Sequence, residues 1–202
     1  YNSGSDSTID AGAGDDSIHN TGSYSTIVAS SGNDSIYNDG WQSTIAAGAG
    51  RDTITNNADN VSINGGSGND LIRNYGSSSI ILGGDGDDSI VSDGNYSYIR
   101  GGAGNDTIGG TGDHRTFEFA SGDGNDLIVG FNVYDTLRIT DGAISTAYAS
   151  GDDFILEVTG AGGTESITIE DGMHMRFDVG DTLVSVVVGT IVSGSDDADS
   201  IS

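Results

Sequence analysis

The 202-residue chain has no cysteine, no proline and no lysine, and its six basic residues are all arginines. Each absence removes an explanation. Without cysteine there are no disulfides and no thiolate-held zinc. Without proline, no X–Pro isomerisation slows folding. Six arginines against 31 acidic residues leave a formal net charge of −25. That excludes nucleic acid, whose binding depends on neutralising phosphates with basic side chains, and an anionic membrane surface by the same sign. No stretch approaches the ~18 apolar residues needed to span a bilayer. Residues 1–30 lack the basic start and apolar core of a signal peptide. No window carries the 3.6-residue period of an amphipathic helix, and no Gly-x-Ser-x-Gly nucleophile elbow occurs.

What remains is glycine, 34 residues of it, with only 34% hydrophobic residues, a composition ordinarily read as disorder. A strict period overrides that reading. Ala-Gly-Ala-Gly-Asp-Asp-Ser-Ile (11–18), Ala-Ser-Ser-Gly-Asn-Asp-Ser-Ile (29–36) and Ala-Gly-Ala-Gly-Arg-Asp-Thr-Ile (47–54) are followed by three more copies, at 65–72, 83–90 and 101–108. The spacing is 18 residues throughout, so Asp16, Asp34, Asp52, Asp70, Asp88 and Asp106 are equivalent. Between these copies runs a second nonapeptide, Asn-x-Gly-x-x-Ser-Thr-Ile, starting at Asn2, Asn20, Asn38, Asn56 and Asn74, then Ser92 and Gly110. One aliphatic recurs every nine residues: Ile9, Ile27, Ile45, Ile63, Ile81 and Ile99 from one set, Ile18, Ile36, Ile54, Ile72, Ile90 and Ile108 from the other.

A Gly-rich turn alternating with a short Thr/Ser-Ile strand predicts an all-β parallel solenoid. Two nonapeptides make one coil, with one strand on each of two sheets. Strand alternation points Ile inward and its neighbours outward, and Gly suits the turns because it adopts positive φ freely. One aliphatic per nine residues is a thin core for so much ordered backbone. Carboxylates this dense also repel one another unless cations neutralise them. Both considerations point to bound metal.

The Asp-bearing unit resembles the repeats-in-toxin nonapeptide, Gly-Gly-x-Gly-x-Asp-x-apolar-x, and the resemblance covers residues 11–128. It implies a calcium-binding parallel β-roll, with Ca²⁺ between turns one coil apart. On this basis the six Asp residues form five regular sites. Carbonyls at Gly12, Gly14, Gly32, Gly48, Gly50, Gly66, Gly68, Gly84, Gly86, Gly102 and Gly104 complete them. The weakest should use Ala29-Ser30-Ser31-Gly32, which lacks the second-position glycine. In that family both edges of the roll bind calcium. Here Ser7, Ser25, Ser43, Val61, Ser79 and Ser97 stand where the second edge would need Asp, so that edge is expected to be metal-free and held by Asn and Ser ladders.

After Ile108 the pattern changes. Arg115 stands where Asp or Ser belongs, and the next turn places Asp126 20 residues after Asp106, an expected sixth, irregular site. Phe117 and Phe119 suggest wider coils. The expected organisation is a calcium-binding β-roll over 1–126, a β-rich cap over 127–192, and the start of a following repeat over 193–202. Within the cap, strands are expected at 127–131, 136–140, 144–149, 153–159, 165–170, 175–179 and 182–188, with turns at 150–153 and 160–163. The tail Gly194-Ser-Asp-Asp-Ala-Asp199-Ser-Ile201 looks like another Asp-bearing nonapeptide. Asp199 is thus expected to supply half a site facing Asp16 of a neighbouring copy.

These readings converge on a non-catalytic, calcium-binding structural module of a secreted or cell-surface bacterial protein. Its partners would be calcium and further copies of itself, with neither nucleic acid nor membrane insertion. The family resemblance implies type I secretion, with its signal beyond residue 202. The alternative is an adhesin or a carbohydrate-binding accessory module of a polysaccharide-active enzyme, for which Tyr24, Trp41, Tyr75 and Tyr96 would form the contact patch. His19, His114 and His174 have no ligand spacing between them and read as surface residues.

Overall fold

The computed structural model describes residues 1–170 and the backbone of 174–179 and 182–187. Every described element is a β-strand. One sheet contains β1 (Thr8–Asp10), β3 (Thr26–Ser31), β5 (Thr44–Ala49), β7 (Ser62–Ser67), β9 (Ile80–Asp85), β11 (Tyr98–Ala103), β13 (Thr116–Phe119) and β15 (Thr136–Ile139). The other contains β2 (Ser17–Asn20), β4 (Ser35–Asn38), β6 (Thr53–Asn56), β8 (Leu71–Asn74), β10 (Ser89–Ser92), β12 (Thr107–Gly109) and β14 (Asp126–Ile128). Successive odd strands pair with one another, as do successive even ones, all in parallel. The chain is therefore a two-sheeted parallel solenoid.

The register follows from the repeat. Ile36 pairs with Ile54 and Ile54 with Ile72, each partner one coil on. A one-residue slip would turn every Ile to solvent and every Ser or Thr inward, so the apolar period locks the pairing. In β6 the burial alternates, with Ile54 and Asn56 inside. The two Ile stacks face each other and are almost fully buried from Ile27 onwards. They end in larger side chains, Phe117 and Leu137 on one sheet, and the longer coil is filled by Phe119 and by Phe131, whose ring lies 5.5 Å from that of Phe117. The coil that follows is two residues longer than the regular ones, Thr116 pairing with Thr136 where the regular step is 18 residues.

The antiparallel strands are present where alternation places them. They are β16 (Ala143–Ser150), β17 (Asp153–Gly160), β18 (Gly163–Ile169), β19 (His174–Val179) and β20 (Thr182–Val187). The turns at 150–153 and 160–163 connect antiparallel partners. What patterning did not reveal is how these strands join the solenoid. β18 pairs in parallel with β14, and β19 in parallel with β15. The hairpins thus extend both sheets and use the strand edges that the last coil would otherwise leave open. Residues 193–202, including Asp199, lie outside the described residues.

One edge of the roll is held by an amide ladder. Asn2, Asn20, Asn38 and Asn56 each donate through Nδ2 to Oδ1 of the Asn one coil on, at 2.7 Å. Asn74 ends the run on Ser92 Oγ at 3.2 Å. Each amide also serves its own turn: Asn20 donates to the carbonyl of Gly22 and accepts from its N–H. The serines mostly bond within their own turn, as Ser25 Oγ does to Gly22 O at 2.9 Å. The ladder is therefore carried by Asn.

Asn56→Ala would leave a donor on Asn38 and an acceptor on Asn74 buried and unpaired. It should destabilise the chain by ~1–3 kcal/mol in chemical denaturation. Asn57→Ala, beside it but exposed, should change stability by less than ~0.5 kcal/mol.

Candidate metal centre

The opposite edge carries the aspartates. Its turns stack closely because their second and fourth residues have positive φ and no side chain. Gly66 and Gly68 have φ of 116° and 114°. A Cβ on either would run into the carbonyl oxygen of Gly48 or Gly50 in the preceding coil. Ser30 occupies the second position in its own turn with φ of 81°, where L side chains are strained. That turn departs from the others as its sequence implied.

Close stacking brings the aspartates into one file. The backbone N–H of Asp16 donates to Oδ1 of Asp34 at 2.8 Å, and the same bond recurs from Asp34 to Asp52, Asp52 to Asp70, Asp70 to Asp88 and Asp88 to Asp106. Asp126 continues the file despite its longer coil, accepting from the N–H of Asp106 at 2.9 Å. Asp34, Asp52, Asp70, Asp88 and Asp106 are at most 3% exposed. One oxygen of each carboxylate is thus fixed. The other is not: Oδ2 of Asp16, Asp34, Asp52, Asp70, Asp88 and Asp106 is buried with no hydrogen-bond partner.

The two edges differ by one chemical fact. A side-chain amide has a donor and an acceptor, so a column of Asn satisfies itself. An ionised carboxylate has acceptors only, so a column of Asp cannot. Six buried, unpaired oxygens of this kind are costly and call for a cation.

The molecule shows what that cation looks like elsewhere. On the Asn/Ser edge the Ser column ends in Arg115 and Asp135. Arg115 N–H donates to Asp135 Oδ1 at 2.8 Å, the same bond the Asp file uses. Asp135 Oδ2 is held by the Arg115 guanidinium at 2.7 Å and the N–H of Asn132 at 3.0 Å. The guanidinium also donates to the carbonyls of Gly130 (2.6 Å) and Ser92 (3.3 Å). Both side chains of the pair are completely buried. Here a built-in cation sits among turn carbonyls and a file-type carboxylate. Arg100, partly exposed, pairs with Asp123 at 2.8 Å, close to Asp126 at the end of the file. Neither pairing was legible in the repeat, where Arg115 registered only as a break.

The carbonyls divide by position. The fourth-position N–H groups bond to third-position carbonyls one coil on, as Gly50 does to Ser67 and Gly68 to Asp85. Those oxygens are engaged. The carbonyl of Gly12 accepts the N–H of Ser31 at 3.2 Å, so as a ligand it would be shared. The first-position carbonyl, which the motif does not single out, comes close to the free carboxylate oxygen: Gly83 O and Asp70 Oδ2 both crowd the Cα of Gly65. Among the described residues no three carboxylate or imidazole groups converge. A cation here would rest on carboxylates from the file and on main-chain carbonyls. That all-oxygen set suits a hard ion such as Ca²⁺, which takes 6–8 oxygens at 2.3–2.6 Å.

Burial perturbs the file. It pushes Asp70 and Asp106 up to about 6, Asp88 to about 7 and Asp126 to about 8, with neighbouring carboxylates adding to the effect. Asp52 is raised for the same first reason. The N–H bond from the preceding coil opposes the shift without cancelling it.

His19 and His114 each sit among aromatic rings. His19 packs edge-on between the rings of Tyr1 and Tyr37, and His114 stacks between Tyr96 and Tyr134. Tyr24 and Trp41 lie 4.8 Å apart. These rings are largely exposed.

No protein-family model and no curated protein sequence matches the chain. Among solved structures it is similar to the extracellular lipase LipA from Serratia marcescens, at 20% identity and a TM-score of 0.48. The match covers 84% of this chain and 37% of the lipase chain, so this chain spans little more than a third of that protein's length.

The raised carboxyls set a pH dependence for the metal-free chain. Between pH 4 and about 8 the folded file holds more protons than the unfolded chain, so stability falls as pH rises through that window. Denaturation in chelator should therefore give a higher midpoint at pH 5 than at pH 8. With calcium the order should reverse, since ligation requires ionised carboxylates.

Proposed function

We propose that this chain is a non-catalytic, calcium-binding structural module of a secreted or cell-surface bacterial protein, of the repeats-in-toxin kind its turns resemble. The observation that carries the reading is the file of six buried carboxylate oxygens without partners. Calcium supplies the charge and ligation that the guanidinium of Arg115 supplies to Asp135. The regular sites lie between successive turns from Asp16 to Asp106, and an irregular one joins Asp106 to Asp126.

Function follows from that dependence. Where calcium is scarce, a chain of formal charge −25 is held open by self-repulsion. Extracellular modules bind calcium at ~10⁻⁴–10⁻³ M, and at such levels the ion neutralises the file and the coils close on it. Folding and metal binding are then one process. Further copies of the module are the proposed partners, with Asp16 as the residue that would share a site with a neighbouring copy. A further coil of the same kind, such as one bearing Asp199, matches the Asp16 end.

A second reading rests on the exposed rings. Tyr24 with Trp41, and Tyr96 with His114 and Tyr134, form two aromatic groups on the Asn/Ser side of the roll, a surface suited to an adhesin or a carbohydrate-binding accessory module. Glycan-array binding in calcium separates the two readings. Self-association without glycan binding favours the structural one.

Far-UV circular dichroism provides the primary test. In EDTA the β signal should weaken and the thermal midpoint fall, and both should be restored by calcium, and far less by magnesium, which resists dehydration and flexible ligation. An unchanged spectrum and thermal midpoint in EDTA would falsify the reading. Asp70→Asn gives an independent check. Its amide can keep the N–H bond from Asp52 and donate towards Gly83 O, so the metal-free chain should gain ~1 kcal/mol. The same variant should gain less stability than the parent on adding calcium.

A further inference from the structure

The six Asp-bearing turns differ at their first position. Ala11, Ala29 and Ala47 occupy it in the first three, Gly65, Gly83 and Gly101 in the last three. This position faces inward: Ala29 and Ala47 are completely buried, and the three glycines are buried too. Positive φ does not explain the glycines, because none of the three has it. The backbone tolerates a side chain here, as the alanines demonstrate.

What separates the two sets is the space beside the Cα. A Cβ on Gly65 would run into Oδ2 of Asp70 and stand 2.5 Å from the carbonyl oxygen of Gly83. On Gly83 it would run into Oδ2 of Asp88 and stand 2.5 Å from the carbonyl of Gly101, and on Gly101 it would run into Oδ2 of Asp106. In the glycine coils, then, the unpartnered carboxylate oxygen leans into the space beside the first position, and next to Gly65 and Gly83 the first carbonyl of the following coil joins it. In the alanine coils a methyl group stands on that side. A methyl contributes no lone pair. It also limits how closely the two oxygens can approach a common ion, whose ligands must lie at 2.3–2.6 Å.

We propose that the file holds two classes of calcium site. The turns of Asp70, Asp88 and Asp106, floored by Gly65, Gly83 and Gly101, load first. The turns of Asp16, Asp34 and Asp52, floored by Ala11, Ala29 and Ala47, load at higher calcium. The half of the roll adjoining the antiparallel strands is therefore the half that stays folded when calcium falls, and the first three coils respond to the upper range of concentration. This rests on the calcium reading above and adds a regulation to it.

Calorimetric titration of the full chain with calcium tests the proposal, alongside Ala47→Gly and Gly83→Ala. The parent should bind in two phases. Ala47→Gly should move one site from the weak phase to the tight one, by on the order of tenfold in affinity, and Gly83→Ala should do the reverse. Ala47→Gly adds no atom, so the test survives if Gly83→Ala fails to fold. A single class of sites in the parent, or an Ala47→Gly titration identical to the parent's, overturns the two-class proposal while leaving calcium binding intact. No calcium bound by the parent overturns both.

Discussion

A carboxylate oxygen can accept hydrogen bonds but cannot donate one, and this solenoid buries six of them in a row. The rest of the structure is arranged around that constraint. From Asp34 to Asp106 each aspartate is fixed through Oδ1 by the N–H of its counterpart one coil earlier, so its free oxygen is held in place. The same bond that makes the coils stack also aligns the uncompensated charges. Burial answers by raising the carboxyl pKa values, which is a partial remedy at neutral pH. A cation is the complete one.

The opposite edge shows how little chemistry separates a structural edge from a metal-demanding one. Exchanging Asp for Asn replaces one acceptor with a donor, and the column becomes a self-satisfied chain of 2.7 Å bonds. Where the Asn/Ser edge does acquire an aspartate, at Asp135, it arrives with a buried guanidinium. The roll therefore holds two solutions to one problem. Arg115 and Arg100 neutralise carboxylates near the far end, while the regular file has no such partner of its own. That end is also where β18 and β19 extend the sheets.

Repetition makes the consequence cooperative. Each coil contacts mainly its neighbours, so the stability of one depends on the state of the next. A cation shared between two coils would couple them further. With a thin core of one aliphatic per nonapeptide, apolar burial sets the register of the coils while the Asp edge concentrates unpaired charge.

The sequence by itself determined the period, the parallel solenoid, the inward Ile stacks and the two unlike edges. All follow from local alternation and a strict 18-residue spacing. It also placed Asp126 in the file and the antiparallel strands close to their observed bounds. Only the tertiary structure decided which carboxylate oxygen is left free, because that depends on an N–H from another coil. It alone showed that Arg115 is a partner and not an interruption, since Asp135 lies 20 residues away. It joined the hairpins to both sheets through pairings some 40 residues apart, such as Ile128 with Ile169. And it gave meaning to the change from Ala47 to Gly65, which in sequence is a neutral variation and in space leaves out a Cβ that would run into Asp70 Oδ2. Repeats encode where residues recur; what each side chain meets depends on the coil above and the coil below.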